Sequence, residues 1–130
     1  MIIAVDFDGT CVTHAFPEVG EDIGAVPVLK ALVDKGHKLI LYTMRDDRKY
    51  KDHYPLNEAI QWFTENNIKL YCFNSNPTQG TWTKSPKVFA HLYIDDAALG
   101  IPLKFDENIS ARPFVDWEKV EQLLKEKEIL

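Results

Sequence analysis

The N-terminal stretch MIIAVDFDGT, residues 1–10, decides the fold. Its first five residues form a continuous apolar run that ends abruptly at an acid, which is typical of a strand buried on both faces of a parallel sheet. Asp6 and Asp8 follow directly, and Gly9 allows a sharp turn just past the strand. The stretch therefore predicts a buried first strand with two carboxylates at its carboxyl end.

Strands and helices alternate along the rest of the chain. Asp116 is available as the N-cap of a last helix, and Gly36 lies where the first helix should end. This order predicts an α/β protein with a doubly wound, Rossmann-like parallel sheet, in which ligands bind at the carboxyl ends of the strands. The apolar spacing places further strands at 38–43, 70–73 and 92–94, and helices at 25–35, 56–66 and 117–128.

The amino-acid composition limits which classes of protein this sequence can encode. The 130 residues are 45% hydrophobic and 27% charged, so we expect one folded domain over residues 1–130. A net charge of -5 argues against specific nucleic-acid binding, and no apolar run approaches the roughly 20 residues that a membrane helix needs. Cys11 and Cys72 lack the spacing of a metal site, so we expect reduced thiols and a cytoplasmic protein.

Acids also follow the last predicted strand, as Asp95 and Asp96. Because the carboxyl ends of parallel strands meet at one edge, we expect these acids to lie near Asp6 and Asp8. Four carboxylates at close range need a compensating cation, and an oxygen-rich set of this kind suits Mg²⁺. Gly9 is expected to leave backbone N–H groups facing an anion. The alternative is that residues 6–10 are merely a turn with acceptor side chains.

Three segments resemble motifs of the haloacid dehalogenase superfamily of phosphotransferases. Residues 5–10 resemble its first motif, residues 39–43 its second, an apolar strand ending in Thr, and residues 92–96 its fourth, an apolar strand ending in paired acids. The third motif is a lysine shortly before the fourth. Lys87 and Lys84 both qualify, and Lys87 is preferred because the segment around it resembles small members without a cap.

The resemblance implies a phosphatase mechanism. Asp6 would be the nucleophile that becomes an aspartyl-phosphate and a Mg²⁺ ligand, and Asp8 would act as general acid and then base, with its backbone carbonyl on the metal. The resemblance also implies a three-layer α/β/α sandwich. We expect no cap domain, since a loop and a helix already account for the chain between Asp8 and Thr43. The remaining implied roles are a phosphoryl-binding hydroxyl on Thr43, a charge-neutralising amine on Lys87, and metal ligands on Asp95 and Asp96.

The expected activity is therefore Mg²⁺-dependent hydrolysis of a phosphomonoester, either a small molecule or a macromolecule. The expected substrate-binding residues all lie in the first two motif regions. Arg45 is the one cation among them, and its alternative is a solvated charge run over residues 45–49. The full substrate-binding set is Gly9, Thr10, Thr43, Met44 and Arg45.

Other candidate residues have simpler interpretations. His14 and His53 are more readily surface residues than ligands, and Cys11 is more readily a small buried apolar side chain than a reactive thiol. Trp82 is the better aromatic candidate for substrate contact, whereas Trp62 lies on a predicted helix face and fits the core as readily as a pocket. Two rival functions stay open, a receiver-like phosphorelay domain and a non-catalytic module that binds metal or phosphate on the same fold.

Overall fold

A parallel sheet of four strands lies at the centre of the molecule, which is described over residues 1–130 by a computed structural model. Its order across the sheet is β3-β2-β1-β4, and all three neighbouring pairs are parallel. This confirms the expected α/β fold with a parallel sheet. The strands are β1 (Ile2–Val5), β2 (Lys38–Leu41), β3 (Leu70–Phe73) and β4 (Leu92–Ile94).

The three helices begin and end close to the predicted residues. They are α1 (Ala25–Asp34), α2 (Pro55–Glu65) and α3 (Trp117–Glu126). Asp116 caps α3 as predicted, because its side chain accepts a hydrogen bond from the Lys119 backbone N–H. None of these helices has the length and apolar content that crossing a membrane requires.

All three helices share one hydrophobic core with one face of the sheet. That face carries Ile3 and Val5 of β1, and the alternate residue Ala4 is buried but lies outside this core. The opposite face is crossed by residues 74–91, where the Tyr93 hydroxyl of β4 donates to the Val88 carbonyl at 2.6 Å. Apart from one short 3-10 turn, this segment is a loop. The expectation of a three-layer sandwich is therefore wrong, because a loop lies where the second helical layer was expected.

The chain changes its direction of winding between β1 and β4. From β1 it proceeds through α1, β2 and α2 to the edge strand β3, and it then returns to the far side of β1 to form β4. The point where the winding reverses is where open α/β sheets bind ligands. Here that point is flanked by the strand ends that carry Asp6 on one side and Asp95 and Asp96 on the other.

A two-stranded antiparallel hairpin, absent from the predictions, follows β4. It pairs β5 (Leu103–Lys104) with β6 (Phe114–Val115), and two-residue strands are too short to leave a periodic signal in the sequence. The Val115 backbone N–H donates to the Gly9 carbonyl at 3.0 Å. The hairpin therefore holds the turn that follows β1.

Candidate metal centre

Three carboxylates meet at the carboxyl edge of the sheet. Asp6, Asp95 and Asp96 each offer one oxygen, and these oxygens all lie within 4.8 Å of one another. β1 and β4 are held in register up to this point, since the Asp6 backbone N–H donates to the Ile94 carbonyl at 2.9 Å. Carboxylate oxygens at this separation are a donor set that hard divalent cations bind.

The hydroxyl of Thr10 lies between two of these acids. Its hydroxyl lies 2.9 Å from Asp6 Oδ2 and 3.3 Å from Asp96 Oδ1, and it accepts a hydrogen bond from the Asp96 backbone N–H at 3.0 Å. The side chain is completely buried. The expectation that Thr10 binds substrate is therefore wrong for its side chain, which positions the acids instead because no substrate can reach it.

Burial raises the pKa of Asp6 to about 8. Loss of hydration is the largest cause, and the negative charge of Asp95 adds to it. The backbone N–H of Phe7 and the hydroxyl of Thr10 oppose the shift by hydrogen bonding to the carboxylate. Without a cation, Asp6 therefore holds a proton at neutral pH, and a bound cation would have to displace it.

The side chain of Asp8 lies outside this cluster. Its two oxygens accept hydrogen bonds from Arg45, Oδ2 from Nε and Oδ1 from Nη2, each at 2.8 Å. The expectation that the Asp8 carboxylate shares a cation with the other three acids is wrong, because Arg45 compensates its charge. The ligand role that the resemblance gives to the Asp8 backbone carbonyl stays a prediction.

Arg45 is buried, with only 2% of its surface exposed, and all five of its N–H groups are used within the chain. Besides the two bonds to Asp8, the guanidinium donates to the carbonyls of Pro17, Glu18 and Pro55. Its Cζ also lies 5.0 Å from the ring centroid of Phe7 and 5.2 Å from that of Phe16. The expectation that Arg45 binds substrate is wrong, because no donor is left to offer.

The position of Gly9 has no room for a side chain. Its own backbone N–H donates to the Val12 carbonyl at 2.7 Å, whereas the N–H of Asp8 makes no hydrogen bond within the chain. The expectation that this turn leaves N–H groups facing an anion therefore stays a prediction. The φ of +78° at Gly9 favours glycine, and a Cβ there would collide with the ring of His14 and approach Asp96 Oδ2. The turn thus keeps room for these two side chains.

Thr43 and Met44 follow β2 at the same edge. The Thr43 hydroxyl accepts a hydrogen bond from the Arg45 backbone N–H at 3.1 Å, and its own proton remains available to a ligand. The Thr43 backbone N–H donates to Asn74 Oδ1 at 2.8 Å, which fixes the end of β2. Met44 is 97% exposed and offers no polar group, so its expected substrate contact can only be apolar.

The two candidate lysines are not brought to the acids. Lys84 and Lys87 are exposed, and neither forms an ion pair. Lys87 Nζ lies over the Tyr93 ring, 5.8 Å from its centroid. The charge-neutralising role of Lys87 therefore stays a prediction that would require its flexible side chain to turn toward Asp6.

Comparison with known proteins gives one informative match. A conserved protein from Bacteroides thetaiotaomicron has a solved structure that is 36% identical, covers 98% of this chain and 91% of its own, and superposes with a TM-score of 0.73. The chain belongs to the same family as that protein. No protein-family model and no curated protein matches it. The Bacteroides relative is described only as a conserved protein, so this family assignment carries the fold and no activity.

In this member of the family, His14 belongs to the site although the sequence suggested a surface residue. Its Nε2 lies 3.3 Å from Asp96 Oδ2, and only 15% of its side chain is exposed. The clue in the sequence was Gly9, because the imidazole of His14 occupies the space that a Cβ at position 9 would need. By contrast, Cys11 is buried in the core as expected, and Trp62, for which a pocket and the core were both open, also lies in the core.

Proposed function

We propose that the chain is a Mg²⁺-dependent phosphomonoester hydrolase of the haloacid dehalogenase type without a cap domain, which works through an aspartyl-phosphate on Asp6. The observation that carries this proposal is the meeting of Asp6 with Asp95 and Asp96 where the winding of the sheet reverses. The motif resemblance supplies the chemistry for that place. A bound Mg²⁺ would compensate the three acids and polarise the phosphoryl oxygens.

Asp6 is suited to attack phosphorus. Its Oδ2 accepts from the Thr10 hydroxyl, and its position is fixed by the backbone bond to Ile94. Attack forms a bond from a carboxylate oxygen to phosphorus and breaks the bond from phosphorus to the ester oxygen. That oxygen leaves as an anion and takes its proton from solvent, or from a protonated Asp8 where the leaving group is poor. Water then cleaves the acyl phosphate and regenerates Asp6 with release of phosphate.

Two groups near Asp6 are available to the phosphoryl oxygens. The backbone N–H of Asp8 makes no hydrogen bond within the chain. The hydroxyl proton of Thr43 is free because that oxygen only accepts, from Arg45. Preformed donors of this kind stabilise the charge that develops on the equatorial oxygens in the transition state.

Asp8 is better placed as a base than as an acid in this arrangement. Each of its oxygens accepts one hydrogen bond from Arg45 and keeps a further lone pair, and its side chain is 21% exposed. A carboxylate held in this way can take a proton from attacking water. The acid role toward a poor leaving group would require the Asp8–Arg45 pair to loosen.

The exposed lysines favour a second candidate, the non-catalytic module. Neither Lys84 nor Lys87 contacts Asp6, although the resemblance assigns a lysine to that contact. Such a module would bind a cation through the acids and turn nothing over. The receiver-like alternative has less support, because the order β3-β2-β1-β4 places β1 between β2 and β4, unlike the 2-1-3-4-5 order of that class.

Hydrolysis of an aryl phosphate separates these candidates. The hydrolase proposal expects turnover that EDTA removes and Mg²⁺ restores, and a loss on the order of 10³-fold or more in kcat for Asp6→Asn. Asp47→Asn is the matched control, because it removes one exposed acid outside the cluster and should keep wild-type kcat. Metal binding without any turnover would establish the non-catalytic module instead.

A further inference from the structure

A cleft of about 390 Å³ lies beside the Asp8–Arg45 pair. Phe16 enters it from the loop after β1, and Met44, Lys49 and Tyr50 enter it from the loop after β2. Arg45 forms part of its wall and also holds Asp8, so one side chain touches both the cleft and the carboxylate proposed to act as base. Its volume lies within the range of small-molecule sites.

Two aromatic rings from different loops meet in this cleft. The centroids of Phe16 and Tyr50 are 5.4 Å apart with the ring planes tilted by 45°. Both rings stay about half exposed, at 51% and 45%. Paired rings that remain open to solvent provide a surface on which a planar aromatic group can stack.

The distance from this surface to the proposed chemistry suits one molecule. Arg45 Cζ lies 5.2 Å from the Phe16 centroid, and its Nη2 lies 2.8 Å from Asp8 Oδ1. The ring centre is therefore no more than about 10 Å from that oxygen, because the remaining link is a single covalent bond. A nucleotide, whose phosphate and base are separated by one sugar, fits a phosphate beside Asp8 and a ring on Phe16 within this limit.

The charges around the cleft favour a small anion over a polymer. Lys49 lines the cleft and forms no ion pair, whereas Arg48 is paired with Asp46. One unpaired cation can attract a phosphomonoester locally. The whole chain carries a net charge of -5, which disfavours the long phosphate backbone of a nucleic acid.

We propose that the substrate is a nucleoside monophosphate whose base stacks on the Phe16–Tyr50 pair; this rests on the hydrolase activity proposed above. A sugar phosphate of similar charge has no aromatic ring to cover these side chains. The base therefore contributes binding that the sugar phosphate lacks, and discrimination lies in KM more than in kcat because the rings are remote from the reacting atoms.

Kinetic comparison of adenosine 5′-monophosphate with ribose 5-phosphate tests the assignment. Wild-type protein should show a kcat/KM at least about tenfold higher for the nucleotide, which is the scale of one base–aromatic stack. Tyr50→Ala should reduce this preference to threefold or less, on the order of the stack it removes. Tyr50 is the better position to change than Phe16, because Phe16 also contacts Arg45. Phe105→Ala, a similarly exposed aromatic outside the cleft, should keep the preference.

Binding of adenosine 5′-monophosphate to Asp6→Asn protein, measured by calorimetry, distinguishes this inference from the hydrolase proposal. Tyr50→Ala in that background should weaken Kd about tenfold. Tyr50-dependent binding without turnover of any ester would keep the nucleotide site and remove the hydrolase. Hydrolysis of ribose 5-phosphate without nucleotide preference would keep the hydrolase and overturn the nucleotide site. Tighter binding of a 5′-phosphorylated oligonucleotide would overturn it as well, in favour of a nucleic-acid end.

Discussion

The raised pKa of Asp6 makes the stability of the metal-free protein depend on pH. This carboxyl has a pKa of about 8 in the folded chain against an ordinary value of 3.8, so the folded state binds the proton more tightly than the unfolded state. Its contribution is fully present below about pH 4 and is lost as pH rises through about 8. Between about pH 5 and pH 8, the free energy of unfolding should fall by about 4 kcal/mol on account of this group.

Asp6→Asn isolates that contribution, because asparagine is close in shape to the protonated acid and does not titrate. Urea unfolding in EDTA at about pH 5, 6, 7 and 8 gives the free energy of unfolding of both proteins. The difference, wild type minus Asp6→Asn, should decrease steadily toward pH 8 with a limiting slope of about 1.4 kcal/mol per pH unit. Shifts at acids remote from Asp6, such as the pKa of Glu58 lowered by its hydrogen bond to His53, are common to both proteins and cancel.

Mg²⁺ should reverse the effect for wild type alone. At about pH 8 a bound cation favours the ionised cluster, so the wild-type protein is stabilised while Asp6→Asn gains much less. A stability difference that stays constant with pH, or that grows as pH rises, would refute the reasoning. In that case, burial would not control the proton on Asp6, and the acids would not compete for a cation in the way proposed.

Three further outcomes follow from individual contacts. Thr10→Val removes the hydroxyl between two acids and should cost about 1–2 kcal/mol of unfolding free energy in urea, with weaker Mg²⁺ binding by calorimetry. Arg45→Met leaves Asp8 without its partner and should cost about 3–5 kcal/mol, a loss that Asp8→Asn in the same chain should partly recover. Lys87→Ala should lower kcat on the order of 10²-fold and Lys84→Ala only severalfold; the reverse ranking would transfer the role to Lys84.

The alternation of elements was predictable because it depends on local patterns. The run before Asp6 predicted β1, and the placement of acids after β1 and β4 predicted that Asp6 would meet Asp95 and Asp96. Both predictions need only the rule that parallel strands align their carboxyl ends. The segment over the second sheet face was not predictable as a layer, because its packing depends on contacts such as Tyr93 with the Val88 carbonyl.

The environment of each site residue was harder to predict than its position. Spacing placed Asp8 and Arg45 near the cluster, but it did not reveal that they would bind each other. Arg45 needs five acceptors at once, and three of them are carbonyls of loop and helix-start residues whose positions only the fold fixes. The His14 contact with Asp96 was hidden for the same reason, since a single histidine in a loop carries no periodic signal.

The separation of Asp6 from Asp8 gives two neighbouring carboxylates different chemistry. Asp6 turns toward two other acids and is largely buried, so it is the carboxylate whose charge the proposed cation would compensate. Asp8 is compensated by Arg45, so it needs none. Phe7 between them is completely buried and packs against both Trp62 and the guanidinium of Arg45, which fixes the backbone from which the two acids diverge. In the proposed mechanism, the nucleophile Asp6 and the base Asp8 are distinguished by what surrounds each carboxylate.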